Sequence, residues 1–116
     1  MPRFVILEHD HPELHWDCML ETGDVLRTWR LAQAPQLNAS IAATAIGDHR
    51  KHYLDYEGPV SGGRGKVARW DAGTYDAIEL ADERVHVRLC GRRLEAIILL
   101  QRQANDRWTC ALSASS

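Results

Sequence analysis

Three side chains near the N-terminus have the types and spacing for metal chemistry: His9, His15 and Asp17. His15 and Asp17 are two residues apart in Leu14-His15-Trp16-Asp17-Cys18-Met19-Leu20-Glu21. Side chains alternate faces along a strand, so the two would project together from one surface. His9 precedes them across Asp10-His11-Pro12-Glu13, where Pro12 interrupts a continuous central strand. Two imidazoles and one carboxylate form a mixed nitrogen–oxygen ligand set that leaves coordination positions open. The same spacing also suits the solvated face of an amphipathic strand, and His11, beside Pro12, reads as solvent-facing.

The elements that would position these groups are β-strands. Phe4-Val5-Ile6-Leu7 is an apolar run leading into His9, and Leu14, Trp16, Cys18 and Leu20 form the apolar parity of the next strand. Met19 is out of place on the polar parity. Gly23-Asp24 turns the chain into Val25–Leu31, where Arg27 interrupts the otherwise apolar face of Val25, Trp29 and Leu31. Ala39–Ile46 balances helix-favouring alanines against strand-favouring Ile and Thr, and its β surroundings favour extended structure. Residues 47–59 read as a long loop with room for one helical turn, carrying His49, His52 and Tyr53. Ser61-Gly62-Gly63-Arg64-Gly65-Lys66 lacks the Gly-Lys-Ser/Thr ending of a phosphate-binding loop and reads as a tight bend. Val67–Trp70 and Tyr75–Leu80 read as strands separated by a turn at Asp71–Thr74. Val85–Leu89, with His86 pointing outward, Leu94–Arg102 and Arg107–Leu112 follow, then a frayed tail at 113–116. The pattern predicts one domain, residues 1–116, folded as a small antiparallel β-barrel with long loops and little helix.

Composition narrows the function classes. The chain is 45% hydrophobic and 26% charged, an ordinary globular balance, and its longest apolar run, Ala96–Leu100, is too short to span a bilayer. The N-terminus has no secretory-type apolar stretch, so cytoplasmic residence is the expectation. Cys18, Cys90 and Cys110 form no Cys-x-x-Cys pair and read as buried small hydrophobes. A formal net charge of −2 gives no support to tight non-specific duplex binding, although Arg64, Lys66, Arg69, Arg92, Arg93, Arg102 and Arg107 could form a local basic patch.

The order of motifs resembles the 3′-phosphoesterase domain of bacterial DNA ligase D and its stand-alone relatives. The resemblance rests on Glu8-His9 with Leu14-His15-Trp16-Asp17 and Leu20-Glu21; on Val25-Leu26 with Trp29; on Asp48-His49, Tyr53 and Tyr56-Glu57-Gly58; on Trp70-Asp71 and Gly73-Thr74; and on Gly91-Arg92-Arg93-Leu94 with Trp108. It implies a small β-barrel that uses a divalent metal, typically Mn²⁺ though Zn²⁺ or another ion is open, to remove a terminal ribonucleoside and then the 3′-phosphate from blocked ends in break repair. Carried over by position, His9, His15 and Asp17 are the metal ligands, Glu21 is a supporting acid, and His49 and Tyr53 approach the scissile phosphate.

Three departures from the family pattern remove positive charge. Met19 and Ile41 stand where the family has arginines, and Gln33 stands where it has a lysine. Arg27, Arg30 and Arg64 are the replacements the sequence offers for binding substrate. The implied partners are DNA or RNA-containing 3′ ends and a repair protein, with no membrane, and the chain is expected to act as a monomer. Two other functions compete: a non-catalytic binding module for nucleic-acid ends or a repair partner, and an iron oxygenase whose ligands would be His15, Asp17 and the distant His86.

Overall fold

A computed structural model of the chain describes residues 1–115 and is almost entirely β. Its strands are β1 (Arg3–His9), β2 (His15–Thr22), β3 (Val25–Leu31), β4 (Ser40–Arg50), β5 (Gly58–Pro59), β6 (Lys66–Leu80), β7 (Arg84–Gly91), β8 (Glu95–Ala104) and β9 (Arg107–Ala114). A single 3-10 turn, Lys51–Leu54, follows β4. All pairings are antiparallel. The order β1-β2-β3-β4-β9-β8-β7-β6 closes into an eight-stranded barrel because β6 also pairs with β1, while two-residue β5 adds to the start of β6. No helix among the described residues is long and apolar enough to cross a membrane.

The interior is filled by one parity of each strand. Phe4 and Ile6, Cys18 and Leu20, Trp29 and Leu31, and Ile41 and Ala43 meet Val85, Val87, Leu89, Ile98, Leu100, Cys110 and Leu112 there. A second, smaller cluster lies on the outside of β1–β3, where Val5, Leu7, Met19 and Leu26 are covered by Leu54, Tyr53, Tyr56 and Val60. This second layer explains two sequence features together. Phe4–Leu7 is apolar on both parities because β1 is buried on both faces, and Met19 is apolar because segment 51–60 covers it.

Several boundaries differ from the sequence reading. β4 is extended, as its surroundings suggested, but continues through Gly47-Asp48-His49-Arg50, so His49 sits on a strand and the covering segment begins at Lys51. Asp71–Thr74 is no turn: β6 runs unbroken for fifteen residues. Its register on β1 shifts between Ile6 (opposite Asp71) and Leu7 (opposite Arg69), leaving Trp70 as the extra residue of a bulge that bends the strand. Asp71 has a turn residue's chemistry but a different partner. Its carboxylate is buried and accepts from the backbone amides of Ala72, Arg93 and Leu94 at 2.8, 3.0 and 2.9 Å, pinning the β7–β8 turn. Cys90 is exposed, unlike Cys18 and Cys110, because it falls on the outward parity of β7. Ser113 and Ala114 belong to β9, and Ser116 lies outside the described residues.

Candidate metal centre and its cleft

His9 ends β1 and His15 begins β2, so the antiparallel register sets them directly opposite each other. Asp17 follows on the same outward parity of β2. One ligand atom from each of the three lies within 4.8 Å of the others. The imidazole rings meet edge to face at 4.8 Å, and Asp17 Oδ2 is 3.2 Å from His15 Nε2 and 3.9 Å from His9 Nδ1. His15 and Asp17 are buried.

The outer nitrogens of both rings are already committed. His15 Nδ1–H donates to the Glu13 carbonyl at 2.9 Å, and His9 Nε2–H donates to the Arg64 carbonyl at 2.8 Å. A neutral imidazole carries one N–H, so a neutral ring at either position would turn a bare nitrogen toward Asp17. Two lone pairs and a carboxylate would then face one another in a buried pocket. Such a contact needs positive charge, supplied by extra protons or by one shared cation. Asp17 Oδ1 is likewise buried without a hydrogen-bond partner, as is the Arg30 Nε beside it at 3.7 Å. Carbonyl-anchored imidazoles presenting the opposite nitrogen are the usual outer shell of a metal site, and the donor set fits a divalent ion.

The cleft around this group, about 320 Å³, is floored by Leu7, Met19 and Val67 and walled by Arg30, His49, Tyr53 and Arg64. His49 therefore joins the site from β4, where it pairs with Leu26. Its Nδ1–H donates to the Gly47 carbonyl at 2.8 Å, which leaves Nε2 free, and its ring lies 5.6 Å from that of Tyr53. Arg30 reaches the cleft because it is the register partner of Asp17. The Arg64 guanidinium folds back onto the Ser61 carbonyl at 2.8 Å, while its own carbonyl anchors His9.

Two of the expected site residues are placed elsewhere. Arg27 has the interior parity of β3 and emerges at the barrel end, where it donates to the Ala81 carbonyl at 3.1 Å. Glu21 shares the outward face with Asp17 but lies beyond Met19. It accepts from the Arg3 amide at 2.9 Å and pairs with Lys51 at 3.2 Å, so it ties the covering turn to the barrel. The Arg3 amide, with help from Lys51, holds its carboxyl below the usual carboxylate range. Ile41 is interior, and the outward positions beside it are Ala42 and Thr44. Its strand parity alone rules out a phosphate contact from position 41. His86 lies on β7, away from the three clustered ligands.

Sequence reasoning missed the latch that sets the cleft's outer wall. Asp10 Oδ1 accepts from the Lys66 amide at 2.9 Å, and that bond holds its carboxyl below the ordinary value. The approach is possible only because residue 65 is glycine. At φ +71°, a Cβ there would stand 2.2 Å from Asp10 Oδ1. The Gly-rich composition of the bend was the available signal.

A family model for the DNA ligase D 3′-phosphoesterase domain matches residues 7–102. The chain belongs to that family. It is 37% identical over 114 residues to the multifunctional non-homologous end joining DNA repair protein LigD of Mycobacterium tuberculosis, and equally to the LigD of Mycobacterium bovis. In both cases the match covers 90% of this chain and 15% of the relative. The LigD of Pseudomonas aeruginosa is 30% identical over 82 residues, covering 66% of this chain and 10% of that protein. The chain thus spans about 15% of the length of the mycobacterial relatives it matches. Within this 3′-phosphoesterase family chain, the matched segment contains the ligand cluster, His49 and Tyr53.

Proposed function

We propose that this chain is a divalent-metal-dependent phosphoesterase acting on 3′ ends of nucleic acid in break repair, in the cytoplasm, with His9, His15 and Asp17 holding Mn²⁺. The observation that carries the reading is the pair of imidazole nitrogens aimed at a buried carboxylate, each ring fixed by a carbonyl on its other side. A bound ion would supply positive charge to a phosphoryl oxygen. The remaining work falls to the chain. Arg30 offers its guanidinium to the other oxygens, and Arg64, held by Ser61 through Nε and Nη2, has Nη1 left to do so. His49 Nε2 takes a proton from the attacking water, or returns one to the leaving oxygen, and Tyr53 orients it. The apolar floor excludes water from beneath the phosphate and strengthens each of these contacts.

The reading is tested with a DNA primer ending in a 3′-phosphate, incubated with the protein and Mn²⁺, with orthophosphate release as the readout. Slow release by the wild type and none by His15→Ala is the expected result. Equal release by both proteins would refute it. A binding module is the second reading, favoured by the uncharged Met19 in the floor of the cleft. Mn²⁺ binding without turnover, persisting when an arginine replaces Met19, would establish that reading instead.

A further inference from the structure

On the same outer surface as the cleft, beyond the covering turn, β6 and the β7–β8 turn gather Arg69, Arg92 and Arg93 around Trp70. Arg69 lies more than twenty positions before the adjacent Arg92 and Arg93, and the fold brings them together through Asp71. The Asp71 carboxylate binds the Arg93 and Leu94 amides, and the Arg92 amide donates to the Ala72 carbonyl at 3.3 Å. Gly91 makes the approach possible, since a Cβ there would sit 2.2 Å from Asp71 Oδ2. The tip carrying two adjacent arginines is therefore fixed on the barrel rather than left as a free loop.

The charges on that tip are uncommitted. Among the described residues neither Arg92 nor Arg93 forms a salt bridge, and both are exposed. Arg93 lies over the Trp70 ring at 4.1 Å, which holds its guanidinium in place. The nearby carboxylates have other partners. Asp55 pairs with Arg3 at 2.7 Å, Glu57 accepts from the Arg69 amide at 2.7 Å and pairs with its guanidinium at 4.0 Å, and Asp71 is held by backbone amides. A net charge of −2 thus coexists with a ledge bearing two adjacent arginines, Arg92 and Arg93, that no carboxylate among the described residues pairs.

The register measures how far the ledge lies from the metal ligands. Val67 pairs with His9, whereas Ala72, which anchors Arg92, pairs with Val5. The bulge at Trp70 takes up one of the five β6 residues, so only four residues of β1 separate the two positions, roughly 13 Å. That is about four base-pair rises at roughly 3.4 Å each along the duplex axis.

We propose that Arg92 and Arg93, steadied by Trp70 and Asp71, form a second nucleic-acid contact that grips backbone phosphates several nucleotides upstream of the 3′ end held in the cleft. The proposal rests on the phosphoesterase reading for the position of that 3′ end. Its role is positional: phosphate contacts set register and orientation without reading sequence. It also supplies binding energy remote from the reacting phosphate, where the cleft itself is short of cations.

The test measures binding of a fluorescent duplex by anisotropy in EDTA across a salt series, so that turnover plays no part. Arg92→Gln combined with Arg93→Gln should weaken binding severalfold and reduce the slope of log K against log salt by about 1–2. Mn²⁺ affinity should be unchanged. Arg107→Gln, an exposed arginine on β9, removes a charge elsewhere and should have little effect. Unchanged duplex affinity and salt slope in the double variant would overturn the proposal. So would an equal loss in Arg107→Gln, which would reduce the effect to net charge. A chain that binds duplex through the ledge yet releases no phosphate would sink the catalytic reading alone, whereas undiminished turnover without ledge binding would sink this one alone.

Discussion

At the residue scale the cleft is richer in metal donors than in cations, and Met19 marks the deficit. It is buried on the outward face of β2, two residues from Asp17, whose Oδ1 has no hydrogen-bond partner. Met19→Arg would place a guanidinium in the cleft floor within reach of that oxygen and of a bound phosphate. A hydrogen bond to a charged group is worth about 1.5–3 kcal/mol, so kcat/KM for a 3′-phosphate primer should rise about 10- to 100-fold. Unimproved turnover would show that Arg30 and Arg64 already meet the need. Glu21 makes a different prediction, about stability. Its carboxyl is held below the ordinary value of 4.5 by the Arg3 amide and Lys51. A depressed folded pKa contributes stability above the unfolded value, and that stability is lost as pH falls through the folded one. Urea unfolding should therefore show Glu21→Gln less stable than wild type at neutral pH, with the difference shrinking below pH 4.5 as wild-type Glu21 takes up its proton. A gap that stays constant into acid would deny Glu21 this role. The clustering of His15 and Asp17 was legible because strand parity needs no tertiary information: the two share a face wherever the strand goes. Arg30 was legible only as one of three options, since its place beside Asp17 depends on the β2–β3 register. Arg27, three residues earlier on the opposite parity, faces the other way.

At the element scale the outer wall of the metal centre depends on one hairpin, β5–β6, latched to the β1–β2 connection. Val60 N–H donates to the Gly65 carbonyl, Lys66 N–H to Asp10, and the Arg64 carbonyl anchors His9. Gly65→Ala combines a positive φ with a Cβ clash against Asp10, so the latch opens while the barrel strands keep their pairing. Releasing the outer partner of a metal-binding histidine typically costs 10- to 100-fold in affinity. Calorimetric titration with Mn²⁺ should show a loss of that size in Gly65→Ala, with strand content by circular dichroism intact. Wild-type affinity would mean that His9 does not depend on Arg64. The elements also show where sequence reading reaches its limit. Most strands were legible from alternation, but β6 was read as two. Asp71-Ala72-Gly73-Thr74 has the composition of a turn, and only the fold reveals other reasons for it. Asp71 serves amides more than twenty residues away, and Gly73 passes so close to the Cys90 carbonyl that a Cβ would stand 2.0 Å from it. The extension of β4 through His49 was equally hidden, because Gly47-Asp48-His49-Arg50 is polar and lies along an edge that only β3 pairs.

At the scale of the whole molecule the chain divides its labour between a closed barrel and the cover laid on it. Every strand of the ring is paired on both sides over part of its length, so core amides exchange with solvent only through large openings. The cover, residues 51–65, is held by a six-residue apolar cluster and a few hydrogen bonds, and its openings cost less. If His9 holds a metal as proposed, the His9–Arg64 contact makes that cover a participant in its binding, because a cover that swings away releases the ring nitrogen it anchors. Binding energy and cover closure are then linked, and each must favour the other. Hydrogen exchange with and without Mn²⁺ separates the two layers. With free Mn²⁺ at about 100 times Kd, global stability rises by about 2.7 kcal/mol, and β8 amides such as Ile98 that exchange through global unfolding slow accordingly. The amides of Val60 and Lys66 should slow as well, by about 10- to 100-fold, the factor that anchoring His9 is worth. Slowing in β8 with no change at Val60 and Lys66 would show the metal indifferent to the cover, and the latch would then serve the fold alone.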